Sequence, residues 1–229
     1  MDKITLWFVV GFVVLVLVVI VVAGVTSGGF SAGTANSTPP GFVATSVPTI
    51  TAADWTRGKK DAKVSVVEYG DYECPACAEY SLLMNQLVSA YGDRVLFAFR
   101  NFPLYSIHPN AGISSQAAEA AGLQGKFWEM HDLLYQKQNE WAGAASSSVV
   151  NQYFDKYASS LGLDVNKFDQ NINANPVMSK VQADVAGGNA AQIDHTPTFF
   201  VNLKQIPNPT SYNDFKAVLD GALASSTGS

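Results

Sequence analysis

Residues 64–77, VSVVEYGDYECPAC, constrain this chain more than any other stretch. The segment 64–69 is mostly β-branched and apolar, which suits a buried strand. Gly70 and Asp71 break it, and Cys74-Pro75-Ala76-Cys77 then opens a run with helical spacing. Proline is accepted in the first helical turn, where its missing N–H costs nothing. Cys74 is therefore expected at a helix N-terminus, where the helix dipole and free backbone N–H groups favour an anion. A thiolate is such an anion, so this position lowers the thiol pKa and makes Cys74 a nucleophile. Cys77 lies one turn further in, within reach to close or open a disulfide with it. Strand, turn, CxxC and helix together predict a redox site.

Two other uses of a cysteine pair fit less well. A zinc site needs about four ligands, and the chain offers only these two cysteines plus His108, His131 and His195, none paired at ligand spacing. No metal and no other cofactor is expected. A static disulfide closing so short a loop restrains an unfolded chain little.

The ends of the chain predict where this site works. Residues 6–25 are twenty uncharged positions dominated by Val, Leu, Ile and Phe. At about 1.5 Å rise per residue they span the roughly 30 Å hydrocarbon core, and they exceed the about 7–15 residues of a cleaved signal's apolar region. Residues 1–25 are thus expected to be an uncleaved transmembrane anchor. Lys3 precedes the span and no Lys or Arg follows it before Arg57. The positive-inside rule then puts the N-terminus in the cytoplasm and the remainder outside. Disulfides persist in such compartments. Residues 26–53, rich in Gly, Ser, Thr, Ala and Pro and free of charge, read as a flexible linker. With 14 Lys and Arg in 229 residues and a net charge of −5, nucleic acid is not an expected partner.

A folded domain is expected over residues 54–225. After the strand at 64–69, a helix over 75–91 buries a stripe of Cys77, Tyr80, Met84, Leu87, Val88 and Tyr91, and Gly92 ends it. Residues 95–99 read as a second strand, completing a βαβ unit. From about 104 to 193 the pattern is helical almost throughout, an inserted lobe that interrupts the sheet. Residues 198–201, TFFV, form a further strand, with a short one at 204–206. Ser211 to Asp214 has capping-box spacing before a last helix.

YGDYECPAC, RNFPLYSIHPNA, KFWEMHDLLYQ and TPTFFVN occur in this order, and in them the chain resembles the DsbA-like thiol–disulfide oxidoreductases, in particular their membrane-anchored branch. The resemblance covers about 54–223. It implies an α/β thioredoxin-like fold with an inserted α-helical domain. It also implies that Cys74 attacks and Cys77 resolves, that Pro197 is a cis-proline facing the disulfide, and that Thr196 contacts the cysteine pair. Glu68 matches the buried acid beneath the site. Two departures stand out: Pro-Ala lies between the cysteines without a His, and His195 replaces the more usual Gly before Thr-Pro.

From the residues themselves, a buried unpaired Glu68 would hold its proton and suit a proton acceptor for Cys77; exposure or a pair with Lys63 is the alternative. His195 is expected either near the cysteines, favouring the thiolate and touching substrate, or turned to water. Asp71 and Glu73 oppose ionisation of Cys74 and are expected to be exposed and screened. Tyr69, Tyr72 and Tyr80 line a groove or pack in the core. The resemblance implies an extracytoplasmic, monomeric enzyme that oxidises reduced exported proteins and is reoxidised by a membrane quinone-linked thiol oxidase. A reductase or isomerase using the same pair, and a non-catalytic chaperone-like peptide-binding module, are the competing functions.

Overall fold

The structure is a computed structural model and describes residues 47–227. The anchor expected at residues 1–25 and most of the linker lie outside the described residues. Among the described residues no helix is long and apolar enough to cross a membrane.

Five strands form one sheet in the order β1-β3-β2-β4-β5. The central strand β2 (Val64–Gly70) pairs parallel with β3 (Val95–Asn101) and antiparallel with β4 (Thr198–Val201). β1 (Trp55–Gly58) and β5 (Lys204–Ile206) close the two edges, each antiparallel. Between β2 and β3 runs α1 (Pro75–Tyr91). The inserted lobe comprises α2 (Ala111–Gly122), α3 (Phe127–Gln136), α4 (Gln138–Trp141), α5 (Ser147–Ser160), α6 (Val165–Ile172) and α7 (Asn175–Ala190). The last described element is α8 (Tyr212–Thr227). The thioredoxin-like α/β fold with a helical insertion is thus present.

The two-residue alternation of the strands divides the core. Val64, Val66, Phe97, Phe199 and Val201 meet Met84 and Leu87 of α1 and Phe215 and Leu219 of α8. Val67, Ala98, Phe102 and Phe200 form a second cluster with Val47, Ala191 and Ile193. A third cluster fills the lobe and reaches both cysteines, with Trp141, Phe154 and Phe168 fully buried. On α1 the buried stripe is Cys77, Ser81, Met84, Leu87 and Tyr91, while Tyr80 and Val88 are half-buried.

Two boundaries differ from the sequence expectation. The body does not begin at residue 54: Val47 is buried and its N–H bonds the Leu203 carbonyl at 3.3 Å. Arg100 explains the order of this entry segment, bonding the carbonyls of Pro48 and Thr49 and a buried Asp54 carboxylate at 2.7 Å. β1 is the second difference, an edge strand whose four residues carry no period. Gly58 ends it with φ +92, where a Cβ would meet the Val95 carbonyl.

Candidate active site

The redox pair sits where β2 hands over to α1. Gly70 closes the strand at a point where any Cβ would strike the Phe99 ring and the Tyr135 hydroxyl. Cys74 then takes the N-cap of α1 with extended backbone (φ −74, ψ 121), and Pro75 follows in the first turn. Both cysteines are free thiols. Cys74 is 7% exposed and Cys77 is fully buried, so only one sulfur meets solvent.

The two thiols differ in acidity for visible reasons. Cys77 donates a hydrogen bond to the Cys74 sulfur, and this holds the Cys74 thiol down at about 5, against burial that opposes it. The backbone N–H groups of Cys77 and Ala76 add to the lowering, as expected at a helix N-terminus. Burial pushes Cys77 well above the usual thiol range, and the donated bond and the Cys74 charge push the same way. One thiol is a thiolate at neutral pH and its neighbour is not.

The Thr196–Pro197 peptide is cis, as the resemblance implies. The Thr196 carbonyl lies 3.4 Å from the Cys74 sulfur, across the gap between α1 and β4. The loop is pinned by Asn208, whose side-chain amide donates to the Pro197 carbonyl at 2.7 Å, and by the Thr198 hydroxyl on the His195 carbonyl. The buried Thr196 hydroxyl bonds none of the protein's N or O atoms and faces the Cys74 sulfur, adding to the lowering of its pKa. His195 is turned to water: its side chain is 54% exposed and its ring bonds Asp194 at 2.7 Å.

Glu68 is buried, 5% exposed, and its Oε1 has no hydrogen-bond partner. It pairs with neither water-facing surface nor Lys63, whose Nζ bonds the Ser226 carbonyl. In the sheet register Phe99 and Phe199 flank it on the neighbouring strands. Burial lifts its carboxyl to about 8, with Arg57 pulling weakly the other way. Its charge also acts on Cys77.

The expectation that Asp71 and Glu73 are exposed is wrong. Asp71 is fully buried, accepting from the N–H groups of Glu73 and Leu104 and facing His108 Nδ1 at 2.7 Å. Glu73 accepts from the N–H of Asn110 at 2.5 Å and from its side-chain amide. The two carboxylates exchange water for donors of the 102–110 loop, which explains their burial. That loop displays Tyr105 and Ile107 beside the site, 60% and 66% exposed. Tyr69 and Tyr72 are fully buried core rings, and the half-buried Tyr80 packs on Phe199.

Sequence reasoning missed Gln138. From α4 its amide donates to the carbonyls of Tyr72 and Cys74, at 2.8 and 2.9 Å. It thereby ties the inserted lobe to the CxxC turn. Nothing local marks a glutamine in a four-residue helix for that task.

This geometry has counterparts. A family model described as thioredoxin matches residues 51–221. The structure is similar to that of oxidised BdbD from Bacillus subtilis, with TM-score 0.68 and 26% identity, covering 79% of this chain and 98% of that one. It has the same fold as alpha-DsbA1 from Wolbachia pipientis, with TM-score 0.67 and 18% identity over 78% of this chain and 94% of that one. Among curated sequences it is 38% identical over 160 residues to Na(+)/H(+) antiporter NhaA 1 of Mycolicibacterium gilvum, covering 68% of this chain and 24% of that one. The chain spans about a quarter of the length of the curated relatives it matches.

Proposed function

The chain belongs to the DsbA-like thiol–disulfide oxidoreductases of the thioredoxin family, and on that premise we propose that it works as an oxidase, inserting disulfides into exported proteins. A substrate thiolate attacks the Cys74 sulfur of the Cys74–Cys77 disulfide. The S–S bond breaks, Cys77 leaves with the electron pair, and Glu68 supplies its proton. A second substrate thiolate then attacks the substrate sulfur of the mixed disulfide, releasing the Cys74 thiolate. The substrate has lost two electrons and the cysteine pair has gained them. A membrane quinone-linked thiol oxidase returns the pair to the disulfide.

The observation that carries the direction is the acidity of Cys74. A thiol near 5 is a good leaving group and a stable thiolate, which favours the reduced enzyme and makes its disulfide an oxidant. Thr196, Pro197 and the exposed Tyr105 and Ile107 supply backbone and apolar contacts to an unfolded chain crossing the site. His195 is placed to meet that chain from solvent. An anchor at residues 1–25, a linker beyond it, an extracytoplasmic catalytic domain and a monomeric state complete the reading. Relatives named as ion antiporters, which carry this module as a quarter of their length, support a place beside a membrane. Oxidised protein mixed with a reduced, unfolded two-cysteine peptide should be reduced faster than reduced protein is oxidised by insulin. The reverse order, with a glutathione titration as reducing as thioredoxin's, would leave the reductase. Exchange by neither route would leave the peptide-binding module.

A further inference from the structure

We propose that His131 carries the proton that Glu68 exchanges with solvent, through one water molecule held between Glu68 Oε1 and His131 Nε2. This deepens the oxidase reading and rests on it, since Glu68 gives Cys77 a proton whenever the disulfide opens and must regain one.

His131, on α3, is 5% exposed and boxed by Tyr72, Phe99, Phe127, Trp128 and Tyr135. A phenyl ring would fill such a box as well, so packing alone does not account for an imidazole. Its Nδ1 lies 2.9 Å from the Asp132 carboxylate. A carboxylate accepts, so Nδ1 carries the proton and Nε2 is left as a bare acceptor. That Nε2 is buried and has no protein partner, and neither has Glu68 Oε1.

The two orphans are chemically complementary. Glu68 and His131 line one cavity of about 20 Å³, together with Arg57, Asn85 and Trp128. A water needs roughly 10–15 Å³ and two to four polar partners. A water here accepts from the protonated carboxyl of Glu68 and donates to Nε2, so both buried groups are satisfied at once. Burial lifts the Glu68 carboxyl and holds His131 below the usual imidazole range, which keeps the first a donor and the second an acceptor at neutral pH.

The path also has an outlet. The Asp132 side chain is 40% exposed and accepts from Arg57 at 2.7 Å. From this tautomer Glu68 discharges its proton outward: the carboxyl gives one to the water, and the water gives one to Nε2. Nδ1 gives its own to Asp132 and so to solvent, which leaves the ring protonated at Nε2. Glu68 then takes the Cys77 proton as the disulfide forms. When the disulfide next opens and Glu68 has returned that proton to Cys77, the path runs backward. Asp132 passes a solvent proton to the bare Nδ1, while Nε2 gives its own to the water and the water one to Glu68. The charged and titratable groups facing this path are Arg57 from β1, Glu68 from β2 and Asp132 from α3, with the Tyr72 and Tyr135 hydroxyls beside it. Tyr72 and Tyr135 are held well above the usual phenol range by burial and stay neutral.

The test uses the full chain. A high-resolution crystal structure of the unaltered protein should show one water within hydrogen-bonding distance of both Glu68 Oε1 and His131 Nε2. A dry cavity overturns the proposal, whatever the variants do. In stopped-flow reduction of the disulfide by a dithiol peptide, Glu68→Gln should abolish the pH inflection near 8 set by Glu68. His131→Gln should keep that inflection, slow the reaction several-fold and enlarge its solvent isotope effect. Asp132→Asn should act in the same direction. A folded His131→Gln variant with unchanged rate and isotope effect, beside a slow Glu68→Gln variant, overturns the role of His131. Failure of the unaltered protein to exchange with the peptide would instead strike the oxidase reading.

Discussion

Cys74 owes its acidity first to a hydrogen bond from Cys77 and second to the amides of the α1 N-terminus. These two causes are separable. Replacing Cys77 by Ala removes the first and leaves the second, so the Cys74 midpoint should rise from about 5 by roughly one pH unit or more yet stay below the free value. Thiolate absorbance against pH reads this directly. An unmoved midpoint would assign the acidity to the helix amides and the Thr196 hydroxyl. The same variant should hold substrates as mixed disulfides on Cys74, whereas Cys74→Ala should hold few, because the remaining sulfur is buried. Glu68 makes a prediction of opposite sign. A carboxyl whose pKa is raised on folding contributes stability that is complete below its unfolded pKa and is lost as pH rises through the folded value. For Glu68 the window runs from 4.5 to about 8, and the loss reaches at most about 5 kcal/mol. Cys74 titrates in that window in the reduced protein, so urea unfolding should be compared in the oxidised form. Glu68→Gln should flatten the decline and gain on the parent as pH rises toward 8. Parallel pH curves for the two proteins would mean that Glu68 ionises freely. The existence of this acid was legible because Glu68 interrupts a Val-rich strand, but its neighbours Phe99 and Phe199 come from strands far away in the chain.

Elements, more than single residues, determine how firmly the CxxC turn is held. Gln138 in α4 caps two buried carbonyls on that turn. Gln138→Ala leaves the Tyr72 carbonyl without a donor, while the Cys74 carbonyl keeps the Ala78 N–H at 3.2 Å; a buried orphan costs about 1–3 kcal/mol. Denaturant unfolding should therefore show a loss of roughly 1–3 kcal/mol with little change in slope. A loss below about 1 kcal/mol would mean that solvent replaces the amide. The long elements were legible from periodicity: α1 begins at Pro75 and ends before Gly92, as spacing and turn chemistry predict, and Asp164 caps α6 through the Lys167 N–H. β1 was not legible. Its four residues, WTRG, bury no continuous face, and pairing with Phe97 and Phe99 of β3 makes it a strand. Asp71 and Glu73 were misjudged for a related reason. A carboxylate next to an active cysteine reads as exposed unless donors are in view, and theirs arrive from residues 104–110, over thirty positions later.

At the scale of the whole molecule, the direction of the redox reaction is a difference in stability between two forms of one fold. Disulfide formation in the folded chain and in the unfolded chain are two edges of a closed cycle. Whatever stabilises the folded reduced form more than the folded oxidised form therefore makes the disulfide more oxidising by the same amount. The four-residue loop restrains the unfolded chain little, so cross-linking adds little to the oxidised side. The Cys74 thiolate adds to the reduced side. A thiol lowered from 9.0 to about 5 contributes stability that is complete above the unfolded pKa and is lost as pH falls through the folded one. At pH 7 the term is on the order of 2–3 kcal/mol, equivalent to roughly 60 mV in a two-electron couple. The reduced protein should thus unfold at higher urea than the oxidised protein at pH 7. The gap should shrink as pH is lowered toward 5 and grow toward 9. The Cys77→Ala variant cannot form the disulfide and serves as a reduced reference whose pH dependence is shifted upward with its Cys74 midpoint. An oxidised form more stable than the reduced form at pH 7 would show that the fold favours the disulfide, and the enzyme would then run as a reductase.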